Sequence, residues 1–446
     1  MTLAGQPLSR LAENLAAGAT TSRAMVESCL ASIAVNGRAF SFVDHAAARS
    51  AADESDRLRS AGGAPTAYAG IPISIKDLFD LAGQPTAAGA KCLRDAPRES
   101  ADAPIVGRLR AAGFIIIGRT QMSEFAFTGL GLNPHQPQPV NPQDPRRVPG
   151  GSSGGAAVSV ALGQAGGAIG TDTGGSVRIP AAFCGLTGFK PTQRRISRVG
   201  AFPLSPSLDS IGPIGHTVSC CEILDAVMAD QPTAHAAALA LSDLRLGVPN
   251  HLLLEAMAPE VAEAWGRALS LLSRAGARIE TFDFPELDQI PQINARGTIS
   301  NAEAFAFHRR QGLLDQRAAY DPNVLARIEM GATMSAADYL DLLEARAGLI
   351  AAAAGRTAPF AAVISPTTPV LAPRLDEIAT PTEFARQNAL VLRNPSVANL
   401  LDRCAISLPM ACDAAPCGLM LMGDCDGDAR LLSIAQAVEG ALIAAD

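Results

Sequence analysis

Three short runs decide the architecture: Ile71-Pro72-Ile73-Ser74-Ile75-Lys76-Asp77, then Asp102-Ala103-Pro104-Ile105-Val106, then Phe114-Ile115-Ile116-Ile117-Gly118. The first alternates β-branched residues and predicts a strand, with Pro72 near its start, where a missing N–H donor is tolerated. The second predicts a helix opened by an Asp102 cap, with Pro104 in its first turn, apolar Ile105, Val106 and Leu109, and Gly113 as its stop. The third is apolar throughout, as in a strand buried on both faces. Strand, helix and strand in this order form a βαβ unit, hence a parallel pair with a right-handed crossover. Lys76 closes the first strand, at the carboxyl end where open α/β sheets place their ligands. A Lys-Asp pair is ordinarily a surface ion pair; the end of an apolar strand is a different setting.

Outward from this unit the same periods recur. Leu8, Leu11 and Leu15, then Met25, Val26, Cys29, Leu30 and Ile33, predict two helices broken at Gly18, the second capped by a hydroxyl. Residues 46–61 predict a surface helix. Residues 244–248, 259–275 and 277–280 repeat the strand–helix–strand pattern. Residues 361–366 and 418–423 read as buried strands, and 429–442 as a closing helix. Residues 133–149 and 205–213 read as irregular, the latter wrapping the site. Neither an internal repeat nor a low-complexity linker interrupts the chain. One α/β domain over 1–446 is expected, with about 285–355, which holds Tyr320 and Tyr339, as a helical cap.

Composition narrows the function. Of the residues, 48% are hydrophobic and 18% charged, far from a disordered chain. The net charge of −7 is scattered, with no Lys/Arg block, so nucleic acid is not expected as a direct partner. No apolar run reaches the roughly 18 residues of a membrane helix. The start lacks a basic region followed by an apolar core, so a secretory signal is not expected. Nine cysteines without CxxC pairs suit a reducing compartment and a cytoplasmic enzyme.

The chemistry concentrates in residues 150–192. This stretch contains Gly150-Gly151-Ser152-Ser153-Gly154-Gly155 and Gly170-Thr171-Asp172-Thr173-Gly174-Gly175-Ser176-Val177-Arg178-Ile179-Pro180, and closes with Phe183-Cys184-Gly185 and Gly188-Phe189-Lys190-Pro191-Thr192. Ser152 and Ser176, each beside paired glycines, lie 24 residues apart. Backbone N–H groups unshielded by a Cβ can hold the oxyanion formed when a serine attacks a carbonyl. A Gly-Ser cluster alone is more often a turn; two in one segment are harder to dismiss. Neither is followed by the Lys of a phosphate-binding loop, and no G-x-G-x-x-G opens a helix after a strand. Residues 151–155 match the G-x-S-x-G elbow of α/β-hydrolase esterases, with Ser153 as nucleophile. That alternative needs a late catalytic histidine, and His216, His235, His251 and His308 carry no local mark of one. The six histidines show no metal-ligand spacing, so no metal is expected. Cys184, alone among small and apolar residues, reads as packing. Without histidine the serine needs another base. A lysine serves if burial draws its pKa toward neutrality, and Lys76 is the best placed.

Together these residues resemble the amidase signature family: the Lys76 strand, both glycine blocks, the close at 183–192 and residues 207–213. Their order is kept, with 100 residues from Lys76 to Ser176. The resemblance implies one α/β domain with a mixed, mostly parallel central sheet covered by helices on both faces. It would divide into N-terminal helices (1–62), a signature core (63–220), the helical cap and a C-terminal sheet and helix (356–446). It implies Ser176 as nucleophile, Ser152 on a cis peptide bond as proton shuttle and Lys76 as neutral base. The N–H groups of Thr173, Gly174, Gly175 and Ser176 would form the oxyanion hole. Ser153 would hydrogen-bond the loop and Arg178 would pair with Asp172 beneath it. The implied activity is cleavage of a carboxamide C–N bond through an acyl-enzyme, without metal or organic cofactor. The partner is a small-molecule amide, and a homodimer is an expected assembly. A stand-alone amidase comes first; the glutaminase subunit of a tRNA-dependent amidotransferase is the alternative. In such glutaminases an acidic residue near the last strand grips the substrate amine, and Asp426 and Asp428 lie nearby without matching its position. Specificity is expected from 285–355 and from the loop at Thr367-Thr368-Pro369.

Overall fold

Among the described residues, 2–232 and 239–444 of the computed structural model, eleven strands join in one sheet. In chain order they are β1 (Phe40–Val43), β2 (Pro72–Lys76), β3 (Ile115–Thr120), β4 (Ala168–Asp172), β5 (Thr187–Lys190), β6 (Ser210–Gly215), β7 (Arg245–Pro249), β8 (Arg278–Phe282), β9 (Ala362–Pro366), β10 (Ala405–Met410) and β11 (Cys417–Met422). Across the sheet they run β1-β3-β2-β4-β6-β5-β10-β11-β9-β7-β8. Helices flank this sheet, giving a single α/β domain. His235 falls outside the described residues.

Both expected βαβ units form. β2 and β3 pair in parallel across the helix Pro104–Ala111, and β7 and β8 do so across Pro259–Arg274. The mixed sheet carries more antiparallel pairing than the expected mostly parallel one. Parallel pairing is confined to β2–β3, β2–β4, β7–β8 and β7–β9, and the other six ladders are antiparallel. For one of these ladders the reason is connection length: the turn between β10 and β11 is too short for a crossover and forces a hairpin.

Local signals hold with two corrections. Thr21 caps the helix Ser22–Val35, its side chain accepting from the Ala24 N–H, and Gly113 ends the turn after Pro104–Ala111 at φ +90°. Ala103, not Asp102, occupies the N-cap of that helix. The Asp102 carboxylate instead accepts from the Ala82 N–H and pairs with Arg110. Residues 205–213, expected to be irregular, run into β6, which pairs with β4 in the middle of the sheet. Pro213 in that strand argued against it, because proline belongs at sheet edges. No helix among the described residues is long and apolar enough to cross a membrane.

Candidate active site

β2 ends at Lys76 and delivers its side chain into the interior, fully buried. Nζ donates to Ser152 Oγ at 2.7 Å and to Thr171 Oγ1 at 2.8 Å. No carboxylate pairs with it among the described residues. Burial therefore lowers its pKa to about 7, while the negative charges of Asp172 and Asp209 pull the other way.

Ser152 follows a cis Gly151–Ser152 peptide bond in the turn that feeds the helix Gly154–Ala161. The turn is tight: a Cβ on Gly151 would lie 2.4 Å from the Gly131 nitrogen, which only glycine permits. Ser153 donates its N–H to the Ser176 carbonyl at 3.2 Å and its hydroxyl to the Thr171 carbonyl at 3.4 Å. It ties the two glycine blocks together and has no histidine partner among the described residues. These contacts leave the esterase alternative without its machinery.

The second block hangs from Asp172, the last residue of β4. Its carboxylate accepts the N–H groups of Gly175 (2.8 Å) and Val177 (3.2 Å) and pairs with Arg178 through Nε (3.0 Å) and Nη2 (2.9 Å). Asn399, from the helix Pro381–Leu400, donates to the same carboxylate and accepts from Arg178 Nη2 at 2.7 Å. Burial pushes the Asp172 pKa up, but Arg178, with Lys190 and Asn399 behind it, outweighs that and holds it at about 2. The pairing of Arg178 with Asp172 is thus present. Gly175 departs from expectation: its N–H, expected to face an oxyanion, is engaged by Asp172.

Ser176, Thr173 and Gly174 line a cleft of about 400 Å³. Its apolar walls come from Phe127, Leu208, Leu252, Ile299, Leu392 and other residues; Ser153 is not among them. Thr173 and Gly174 reach it because Gly175, at φ +122°, turns the chain in a conformation L side chains rarely adopt. Ser176 is buried next to Ser153 but makes no hydrogen bond to Lys76 or Ser152 among the described residues. The structure thus joins Lys76 to Ser152 directly, and ties Ser176 to the same turn through its backbone carbonyl, which accepts the Ser153 N–H.

Two arginines, Arg327 and Arg393, reach the cleft. Arg393 donates to the Glu255 carbonyl and to Asn394. Arg327 has no carboxylate partner among the described residues; its Nε is buried without an acceptor and its guanidinium lies 4.7 Å from the Phe127 ring centroid. Burial lowers its pKa to about 10.

Sequence reasoning missed Arg327, Thr171 as a lysine partner, and Asn399. Of these only Thr171 sat inside a recognisable block. Asp426 pairs with Arg194, and Asp428 accepts the Thr192 N–H at 2.7 Å; neither lines the cleft. Cys184 is a packing residue, its thiol pushed up to about 12 by burial.

The profile of the Amidase family matches residues 24–432. The chain belongs to the amidase signature family. It is 37% identical to the 2-amino-5-chloromuconic acid deaminase of Comamonas testosteroni, over 89% of this chain and 87% of that one. It is 33% identical to the A subunit of the glutamyl-tRNA(Gln) amidotransferase of a Roseiflexus species, over 98% and 97%. A solved amidase crystal structure superposes with a TM-score of 0.89 at 30% identity, covering 98% of this chain and 100% of that chain. The protein is an amidase-family enzyme acting on C–N bonds.

Proposed function

We propose that this amidase hydrolyses the carboxamide of a small, carboxylate-bearing substrate through an acyl-enzyme. Lys76 carries the reading: a buried amine, near neutrality and bonded to Ser152, is a base without histidine. Ser176 attacks the carbonyl carbon, and its proton passes through Ser152 to Lys76. The N–H groups of Thr173, Gly174 and Ser176 receive the oxyanion, while Asp172 fixes the loop through Gly175. The C–N bond breaks, the nitrogen recovers the proton, and water then hydrolyses the ester on Ser176.

Arg327 indicates the acyl group. A part-buried guanidinium that stacks on Phe127 but has no carboxylate partner among the described residues gains a charge-assisted pair when an anion meets it, and its planar fork suits a carboxylate. The similarity to a deaminase of an amino muconic acid agrees with that. An ammonia-release screen tests the proposal with glutamine, neutral aliphatic and aryl amides, and monoamides of short dicarboxylic acids. The acidic monoamides should lead; preference for neutral amides, or no ammonia at all, refutes it. A second reading, the glutaminase component of an amidotransferase, is favoured by near full-length similarity to such proteins. Glutamine hydrolysis that appears only with the other components of that complex would select it.

A further inference from the structure

The helix Ile299–Arg310 meets the cleft in three ways. Its start, Thr298 to Ser300, lines the cavity. Asn301, buried, donates its side-chain N–H to the Arg327 carbonyl at 2.7 Å, so this helix holds the segment that carries Arg327. Glu303 then grips the loop 204–209, whose Leu204 and Leu208 line the same cleft. Its carboxylate accepts from Ser205 Oγ at 2.5 Å, from the Ser207 N–H at 3.0 Å, from Ser207 Oγ, and from Tyr339 Oη at 2.7 Å. Tyr339 belongs to the helix Ala336–Thr357, so one carboxylate joins two helices to the loop. Four donors use nearly the whole accepting capacity of a carboxylate.

The far end of that loop bears on the second glycine block. Asp209 takes the Leu204 and Ser205 N–H groups on one oxygen, both at 3.0 Å, and the Thr173 hydroxyl on the other at 2.6 Å. Ser210 donates its hydroxyl to the Asp172 carbonyl at 2.9 Å, and Asn399 donates to the same carbonyl at 3.0 Å. That carbonyl and the Thr173 N–H belong to one planar peptide unit, so fixing the first fixes the direction of the second. The Ser205 carbonyl in turn accepts the Asp209 N–H at 2.8 Å, which closes the loop into one body from the Glu303 contacts to Thr173.

We infer that Glu303 is a positioning residue for the reaction: by docking the helix Ile299–Arg310 on the loop 204–209, it sets the Thr173 N–H where the oxyanion forms. The inference rests on the reading of Ser176 as nucleophile and of Thr173 as an oxyanion donor. A carboxylate that only closed the fold would change stability. One that sets an oxyanion donor changes transition-state binding and leaves ground-state binding alone, since Arg327 keeps its own tie to the helix through Asn301.

Glu303→Gln keeps the shape but leaves one acceptor oxygen and adds an NH2 group among four donors. Turnover of glutaric acid monoamide should fall about tenfold to a hundredfold in kcat, with KM within about threefold, the scale of a misplaced oxyanion donor. Two inhibitors make the readout independent of how much variant folds. Glutaric semialdehyde accepts Ser176 Oγ at its carbonyl carbon; its oxygen takes the negative charge and the serine proton passes to the relay. Glutarate meets only the ground-state contacts. The Ki of the semialdehyde should rise about tenfold or more in Glu303→Gln, and that of glutarate should stay within about threefold. Ser205→Ala with Ser207→Ala breaks the same contact from the loop side and should reproduce this split. Combining it with Glu303→Gln should add less than about threefold, because the lost contact is shared. If neutral amides prove the better substrates, butyramide, butyraldehyde and butyrate serve as the three probes. A ratio of the two Ki values that Glu303→Gln leaves unmoved overturns the inference, as do losses that simply multiply in the combined variant. A wild-type protein that hydrolyses neither amide and binds neither aldehyde overturns the amidohydrolase reading itself, and this one with it.

Discussion

At the scale of single residues the molecule turns on one amine. A lysine of ordinary pKa, about 10.4, is neutral in roughly one molecule in 2,500 at pH 7. Complete burial without a carboxylate partner brings Lys76 to about 7, so a large fraction is free amine at neutral pH. With the free amine as the proposed base, kcat/KM should rise about tenfold per pH unit below 7 and level off above it. A profile measured from pH 5 to 9 that stays flat across 7 contradicts the assignment. Linkage gives a second sign. The unfolded lysine keeps its proton up to about 10.4 while the folded one loses it near 7, so this group's contribution to stability improves as pH rises through that window. Lys76→Ala should lower kcat by about a thousandfold or more, the scale of general-base catalysis, with the circular dichroism spectrum kept. Near-normal turnover in that variant removes Lys76 from the mechanism.

At the scale of elements, three segments meet at one carboxylate. β4 brings Asp172, the short helix Arg178–Phe183 brings Arg178, and the helix Pro381–Leu400 brings Asn399. Arg178→Met keeps much of the volume but strands a buried anion, which costs about 3–5 kcal/mol. Urea unfolding should show that loss, and a change under about 1 kcal/mol would mean the pair does not hold the loop. Gly175→Ala should act more locally. At φ +122° any side chain is strained, and the new Cβ would fall 2.6 Å from Pro395 Cγ, so turnover should drop at least a hundredfold. Undiminished turnover would show that the loop can relax. These contacts also mark where the sequence stopped being legible. β2, Pro104–Ala111 and β3 announced themselves because their periods were clean and their stop residues conventional. β6, β10 and the helix Pro381–Leu400 did not, and each contains an internal proline: Pro213, Pro409 and Pro395. Proline removes a donor, which argues against strand or helix locally; burial and tertiary packing decided otherwise. The partners of Asp172 split the same way, with Arg178 readable six residues along and Asn399 hidden in an element that its proline disguises.

At the scale of the whole molecule, the substrate space is an assembly of distant segments. Thr173, Gly174 and Ser176 line it together with Leu204 and Leu208, residues from 290–300, Arg327 and the helix Pro381–Leu400. The proposed nucleophile and relay serines lie in short glycine-rich blocks and the proposed base ends a clean strand, so all three can be read from sequence, whereas a cavity depends on which helices pack together. Arg327 shows the difference. In the sequence it is one arginine among many within 285–355; only packing shows it lining the same cleft as Ser176, with no carboxylate partner among the described residues. Stacked on the Phe127 ring and without a carboxylate partner among the described residues, it is the cation that the proposed acidic acyl group would meet. Arg327→Gln keeps a polar side chain and removes the charge. A charge-assisted contact to a substrate carboxylate contributes about 1.5–3 kcal/mol, so the ratio of kcat/KM for an acidic monoamide to that for its neutral methyl ester should fall about tenfold to a hundredfold. The loss should sit mainly in KM, because the contact is made before the chemistry begins. The variant's melting temperature separates this from a structural role: removing a part-buried charge that has no carboxylate partner among the described residues should leave it unchanged or raise it. A lowered melting temperature with an unchanged substrate ratio would make Arg327 a packing residue and return the acyl group's identity to the apolar walls alone.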